Sequence, residues 1–333
     1  MRISRGSRPA GGDGPAVRIL VTGADGFVGR YLVRTLLASG HSVVAAVRPG
    51  GAPPDHWLTD GERRGVELLD FDLEDPAAAE AAAGRRSDGV VHLAAVASSR
   101  EARRDPGLAW AVNTAGTARL LEAVGAAREE GAGDPVVVVV SSGEVYGDGP
   151  PEPRRETDPV RPQSPYAATK AAAEIGALEI ARRTGLRVVV ARAFQHTGPG
   201  QADLYVVPAL ARRLAEARRQ GRREIPVGNL EPVRDITDVR DVTAAYLALL
   251  ERGASGEVYN VARGEGISLR DVYTKLAGII GADAVPVRDA SLARSGDIPH
   301  LVGDPAKLRA ATGWMPTRTI DQTLRDVVDA QAD

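Results

Sequence analysis

The chain has 333 residues, with 42 Lys and Arg against 44 Asp and Glu for a formal net charge of -2. That length supports one large α/β domain with a smaller appendage, and the charge balance leaves no basic footprint for a nucleic acid. Cysteine is absent, which excludes a disulfide scaffold, a thiolate metal site and a Cys nucleophile. No apolar run is long enough to span a bilayer. Residues 1–16 are rich in Gly, Pro and Arg and lack the apolar middle of a signal peptide, so they read as a disordered tail on a cytoplasmic protein.

Val17 to Thr22 is a short apolar run that stops at Gly23, and a helical pattern through Leu32, Val33, Leu36 and Leu37 follows to Gly40. Between them Gly23, Gly26 and Gly29 are spaced GxxGxxG, with Phe27 and Val28 opening the helix. Gly23 permits a tight turn, Gly26 lets backbone N–H groups approach a pyrophosphate at the helix N-terminus, and Gly29 allows close helix–strand packing. A second strand, Ser42 to Val47, ends at Arg48 where NAD sites place an acid for the ribose 2′-OH. A guanidinium there suits a 2′-phosphate, or is simply solvated.

A third strand, Val66 to Phe71, leads into Asp72-Leu73; Asp72 lies near an adenine or caps the helix over 75–83. The strand Gly89 to Leu93 ends in His92-Leu93-Ala94-Ala95, whose small residues let backbone approach a cofactor. His92 reads as structural, and no cluster of His and acids has metal-ligand spacing. A long helix from about Pro106 to Glu130 carries Trp110, Val112, Leu120, Leu121 and Val124 toward a core. Asn113 within it is solvated or faces the ammonium of Lys170.

Five valines, Val136 to Val140, form a strand buried on both faces, which puts Ser142 at its carboxyl end, followed by Gly143 and Glu144. Ser164 caps a helix with Pro165 in its first turn, so Tyr166 and Lys170 share one face. A hydroxyl facing a Tyr and a Lys one turn apart is a proton-transfer constellation. The strand Leu186 to Ala191 completes a βαβαβ alternation, hence a parallel sheet with helices on both faces.

After Arg192 the loop Ala193 to Gln201 carries Gln195 and His196, amide and imidazole groups that fit a binding wall. Tyr205 to Gln220 is a helix with Arg212, Arg213, Arg218 and Arg219 on a basic face. Arg234 is the candidate to hold a diphosphate. The helix Val242 to Leu250 and the strand Glu257 to Val261 return to the main sheet, and the remainder alternates short helices and turns.

With these residues assembled, the chain resembles the extended short-chain dehydrogenase/reductase family that acts on nucleotide-diphosphate sugars. The strings that carry the resemblance are TGADGFVG, HLAA, SSGEVYG, YxxxK and RDITDVRD. Ser-Gly-Glu-Val-Tyr-Gly, the segment Arg192 to Gln201, and Val227-Gly228-Asn229-Leu230 are similar to the branch of GDP-linked 4-keto-6-deoxymannose reductases. The resemblance implies a Rossmann-type doubly wound parallel sheet with a smaller α+β C-terminal domain. It assigns 17–192 with 238–262 to NADP binding, and 193–237 with 263–333 to a sugar nucleotide. It also implies NADPH as cofactor, with NADH possible, and a homodimer through helices near 106–129 and 165–183.

Carried onto this sequence, it makes Ser142, Tyr166 and Lys170 the catalytic triad, with Glu144 beside them and Asn113 as the supporting amide. Gly23, Gly26, Phe27, Val28, Gly29, Arg48, Asp72, Leu73, Leu93, Ala94 and Ala95 would line the cofactor together with Asn113, Tyr166 and Lys170, the last on the nicotinamide ribose. Ser142, Gly143, Glu144, Gln195, His196, Val207 and Arg234 would line the substrate. Gln195 stands where the family more often has Asn, and Val96-Ala97 replace a more polar pair. Tyr166 would donate a proton, and Lys170 would lower its pKa. A 4,6-dehydratase usually carries an acid where Gly143 stands, and a 4-epimerase needs a tightly held NAD. A non-catalytic NADPH-binding regulator would typically lack the Tyr or the Lys.

Overall fold

A computed structural model describes residues 16–51, 54–292 and 297–331, so the predicted tail lies outside the described residues apart from Ala16. Six strands come first: β1 (Arg18–Thr22), β2 (Ser42–Val47), β3 (Val66–Asp70), β4 (Gly89–His92), β5 (Val136–Ser142) and β6 (Arg187–Ala193). The short strands β7 (His196–Thr197), β8 (Glu224–Val227), β9 (Val233–Asp235) and β10 (Thr237–Asp238) leave the sheet, and β11 (Val258–Val261) returns to it. The result is a seven-stranded sheet in the order β11-β6-β5-β4-β1-β2-β3. Every neighbour pair is parallel. The chain reverses its winding between β1 and β4, the switch point at which open α/β sheets bind ligands.

The helices are α1 (Phe27–Ala38), α2 (Asp60–Arg63), α3 (Pro76–Ala83), α4 (Ser99–Arg104), α5 (Pro106–Trp110), α6 (Thr117–Glu129), α7 (Pro165–Thr184), α8 (Val206–Gln220) and α9 (Val239–Arg252). Alternation along each strand divides them between two cores. Ile19, Val21 and Val138 face Leu32, Val33 and Leu36 of α1 and Val242, Ala245 and Leu249 of α9. Leu20, Val137 and Val139 face Leu120, Leu121 and Val124 of α6 and Ala177, Ile180 and Ala181 of α7. Both faces of the sheet are therefore covered, as parallel strands require.

Beyond β11 the chain adds β12 (Gly266–Ser268), α10 (Leu269–Ile280), β13 (Val285–Arg288), β14 (His300–Leu301), α11 (Ala306–Thr312) and α12 (Ile320–Asp329). Here α8, α10 and α12 pack together over Leu210, Leu214, Val272, Leu276, Leu324 and Val327 as a third core. Strand β9 lies between β12 and β14, and β13 pairs with β8. These strands are too short to display an alternation, so the sequence reads as helices and turns there. No helix among the described residues is long and apolar enough to cross a membrane.

Two expectations for the long helix need correction. It is not uniform, because Ala111–Gly116 forms a π-helical turn between α5 and α6. Trp110 does not enter the core; it is 45% exposed, whereas Val112, Leu120, Leu121 and Val124 are buried. The wider turn shifts the helical register, so a residue in phase with the core by a period of 3.6 ends on the outer face.

Helix α7 begins as expected. Ser164 is its N-cap, with Pro165 in the first turn and the Ser164 hydroxyl accepting from the Ala167 N–H at 3.1 Å. Replacing Ser164 by Ala leaves that donor bare and is expected to cost about 1 kcal/mol. Urea denaturation should show the midpoint falling with the slope unchanged.

Candidate active site

The glycine turn joins β1 to α1 under tight steric limits. Gly23 adopts φ +67°, and a Cβ on it would lie 3.0 Å from the Ala94 nitrogen. At Gly29 a Cβ would run into the Gly23 carbonyl and sit 2.7 Å from the Ala24 Cα. Gly26 is the N-cap of α1 and offers no side chain to the first-turn N–H groups, and that turn holds no acid. Phe27 and Val28 are half-buried beside it. A turn this close to its helix, with unoccupied donors at the positive end of the helix dipole, fits a dinucleotide pyrophosphate. Arg48 is exposed just past β2, and its side chain has no partner among the described residues. Asp72 resolves toward a local turn: its carboxylate accepts from the Glu74 N–H at 3.0 Å, while Asp75 caps α3. Leu73 is buried, with Gly116 packed against it.

Ser142 ends β5, and its hydroxyl accepts from the Glu144 N–H at 3.1 Å. It also lies near enough to the Tyr166 phenol to favour the phenolate, so the two groups expected to meet are neighbours. Burial, the Glu144 carboxylate and Tyr205 raise the Tyr166 pKa well above its ordinary value, and Ser142 works the other way. Lys170, expected to lower it, is not among the groups that act most strongly on the phenol. The Lys170 ammonium instead donates to the Val140 carbonyl at 2.8 Å, and burial pushes its pKa down to about 8 against the opposing pull of Glu174. Glu174 lies one turn beyond Lys170 on α7. It takes a bidentate pair from Arg192, 2.8 Å at the shorter contact, together with the Ser141 hydroxyl. Arg192 also stacks over the Tyr146 ring at 4.8 Å.

Asn113 does not face Lys170. Its Oδ1 accepts from the Val96 N–H at 2.7 Å, and its Nδ2 donates to the Val96 carbonyl and the Thr169 hydroxyl, which uses both amide hydrogens. The π-helical turn is what aims it there. His92 is structural, as expected: its Nδ1 meets Thr22 Oγ1 at 2.8 Å and its Nε2 meets Thr117 Oγ1 at 3.0 Å. Burial, and to a lesser degree the Lys170 charge, depress its pKa to about 3, so the ring is neutral. Thr117 donates to the Asn113 carbonyl and Thr22 accepts from the Ala94 N–H. Leu93, Ala94 and Ala95 are thereby fixed, half-buried, opposite the glycine turn.

On the other side of the triad, Glu144 accepts from the Ser99 hydroxyl at 3.0 Å. Gly143 lies against Phe194; a Cβ there would sit 3.0 Å from three ring carbons. His196 stacks on Phe27 with ring centroids 6.5 Å apart, and its Nδ1 donates to the Phe194 carbonyl at 3.0 Å. The Gln195 carbonyl accepts from the Thr237 N–H at 2.9 Å, and its half-buried side chain remains beside this wall. Val207 is corrected: at 1% exposure it belongs to the α8 core with Leu210 and Leu214, as its helical spacing requires. Arg234 is largely buried and donates to Asp297 at 2.5 Å and to the Val233 carbonyl at 2.9 Å. The sequence reading missed Ser99, Tyr205, Thr169 and Glu174. Of these only Glu174 had a visible signal, a carboxylate one turn after Lys170.

With the glycine turn, the Ser142–Tyr166 contact and the buried Lys170 in place, comparison with known proteins is decisive. The sequence pattern of the NAD dependent epimerase/dehydratase family matches residues 19–262. The chain belongs to that family. A GDP-6-deoxy-D-mannose reductase of Pseudomonas aeruginosa is 35% identical over 315 residues, covering 93% of this chain and 96% of that protein. A UDP-glucose 4-epimerase of Mycolicibacterium smegmatis is 32% identical, covering 94% and 98%. The solved structure of RMD from Pseudomonas aeruginosa complexed with NADPH superposes with a TM-score of 0.79 at 34% identity, covering 95% and 98%. Members of this epimerase/dehydratase family thus span distinct sugar-nucleotide chemistries on one scaffold.

The opposed effects on Lys170 give a pH test. A buried ammonium is neutralised as pH rises through its pKa, so the alkaline limb of the rate profile should fall near pH 8. Glu174→Gln removes the charge that opposes burial and should move that limb to lower pH by about one unit or less. Measuring kcat/KM against pH for both proteins checks this.

Proposed function

We propose that the chain reduces the 4-keto group of a nucleotide-diphosphate-linked 4-keto-6-deoxy sugar with NADPH, converting GDP-4-keto-6-deoxy-D-mannose to GDP-D-rhamnose. The observation that carries this reading is Gly143 lying against Phe194. A 4,6-dehydratase needs an acid to protonate the departing hydroxyl, and no side chain fits at residue 143 without displacing that ring. The relatedness to GDP-6-deoxy-D-mannose reductase supports the GDP-linked deoxysugar. Arg48, in place of an acid, supports NADPH over NADH and counts against an epimerase with tightly held NAD.

When bound, the nicotinamide cofactor supplies the hydride. Tyr166 keeps its proton at neutral pH because its surroundings disfavour the phenolate, and it surrenders that proton only to a stronger base, the alkoxide forming at O4. Ser142 orients the phenol and directs its own hydroxyl at the same oxygen, stabilising charge as it builds. Lys170 holds a positive charge below both groups. Asp297 and the Val233 carbonyl fix the plane of the Arg234 guanidinium, which holds the substrate diphosphate. Residues 17–192 with 238–262 carry the cofactor in this reading, and 193–237 with 263–333 carry the sugar nucleotide.

A homodimer completes the proposal. Trp110 on α5 is 45% exposed, Ile175 on α7 is 70% exposed, and the two helices pack on one another, leaving apolar surface for a second copy.

Incubation with GDP-4-keto-6-deoxymannose should oxidise NADPH stoichiometrically and faster than NADH, with the product identified by NMR. Conversion of the sugar without net NADPH loss would sink the reductase reading. Tyr166→Phe should lower kcat by roughly a hundredfold to ten-thousandfold while leaving NADPH affinity unchanged. For the dimer, Ile175→Asp should halve the mass seen by sedimentation; an unchanged mass would place any interface elsewhere.

A further inference from the structure

Arg154 is a buried cation that forms no ion pair with any of the described residues. It is 6% exposed, and its Nε and Nη2 are both buried with no hydrogen-bond partner among the described residues. Its guanidinium lies against Gly149, where an added Cβ would come within 2.6 Å of Nη1 and Nη2. The acids adjoining it in the chain and at Asp304 make their contacts elsewhere. Glu156 accepts from the Asn260 N–H, Asp304 pairs with Arg155 at 3.3 Å, and Asp148 accepts from the Gly149 N–H. Arg18 and Arg309 also leave an Nε bare, but their other nitrogens bind Glu67 and the Arg263 carbonyl. Arg154 has no such relief.

The main chain at Arg154 is held from both sides. The Arg154 N–H donates to the Val302 carbonyl at 2.8 Å, and its carbonyl accepts from the Asp304 N–H and Asn260 Nδ2, each at 2.8 Å. Residues 302–304 continue directly from β14, in which Leu301 is paired with Arg234 of β9. His300 of that strand has an Nδ1 that is also buried and without a partner. After burial itself, Arg154 and Arg234 are the charges that depress the His300 pKa, and exposed Glu152 acts weakly against them.

A guanidinium with two of its three nitrogens dry and unpaired is costly unless a ligand supplies partners for them. Its planar fork matches phosphate oxygens in two-point contact. We propose that Arg154, with His300 and beside Arg234, forms a buried subsite for a phosphate-class anion that brings its own counter-charge. The anion is either the diphosphate of the sugar nucleotide, which rests on the function proposed above, or free pyrophosphate, which does not.

Isothermal titration of the full chain with inorganic pyrophosphate and with GDP tests both sources. Arg154→Met is expected to weaken pyrophosphate binding by roughly tenfold to a hundredfold, the scale of a charge-assisted hydrogen bond, with NADPH affinity unchanged. If pyrophosphate displaces GDP, the anion is the nucleotide's own diphosphate; if both bind together, it is a free anion. A folded Arg154→Met protein that binds pyrophosphate as tightly as the wild type overturns the proposal. Should that variant fail to fold, the wild type decides: pyrophosphate should raise its melting temperature above that in chloride of equal ionic strength, and no rise overturns it. The pyrophosphate arm requires no sugar, so its failure is distinct from failure of the reductase reading.

Discussion

The structure turns on an ammonium kept nearly dry between a strand end and a helix. Lys170 is buried against the Val140 carbonyl, and what keeps it charged is the Glu174 carboxylate one turn along α7. That carboxylate is itself held by Arg192 on β6 and by Ser141 on β5. Three elements are therefore tied to one acid directly behind Lys170. A buried pair of this kind is a poor source of net stability, but losing one member leaves an uncompensated charge. The arrangement ties the geometry of Ser142 and Tyr166 to the integrity of the network beneath them.

The surroundings of the Tyr166 phenol favour its neutral form. Lys170 was expected to favour the phenolate, yet Glu144 and burial favour the neutral phenol. Glu144 is placed by Ser99, which follows the stretch where Val96 and Ala97 replace a more polar pair. Glu144 favours the protonated phenol, and Gly143 before it leaves the space that the Phe194 ring fills.

Much of this was legible in the chain because the relevant constraints are local. Five valines announce a doubly buried strand, and β5 contains all of them. The GxxGxxG spacing requires a left-handed residue at Gly23 and contact distance at Gly29, and both are found. The Ser-Pro-Tyr start of α7 is a capping pattern and fixes the face on which Tyr166 and Lys170 lie. What escaped depends on tertiary contact. A π-helical turn has no local signature, so Asn113 was aimed at the wrong partner and Trp110 at the wrong side. Val207 has the same helical phase as Leu210 and Leu214, so the core took it. Ser99 and Tyr205 come near the triad only through folding.

The hydrogen bonds around His92 carry a directional consequence. The series begins at an amide that can only give, Ala94 N–H, and ends at a carbonyl that can only receive, on Asn113. Between them each hydroxyl and the neutral ring has one hydrogen committed forward, which leaves the ring protonated at Nε2. Such a saturated series cannot conduct, because its terminal groups neither release nor accept a mobile proton. It fixes the floor of the site and offers no path for a proton through the sheet.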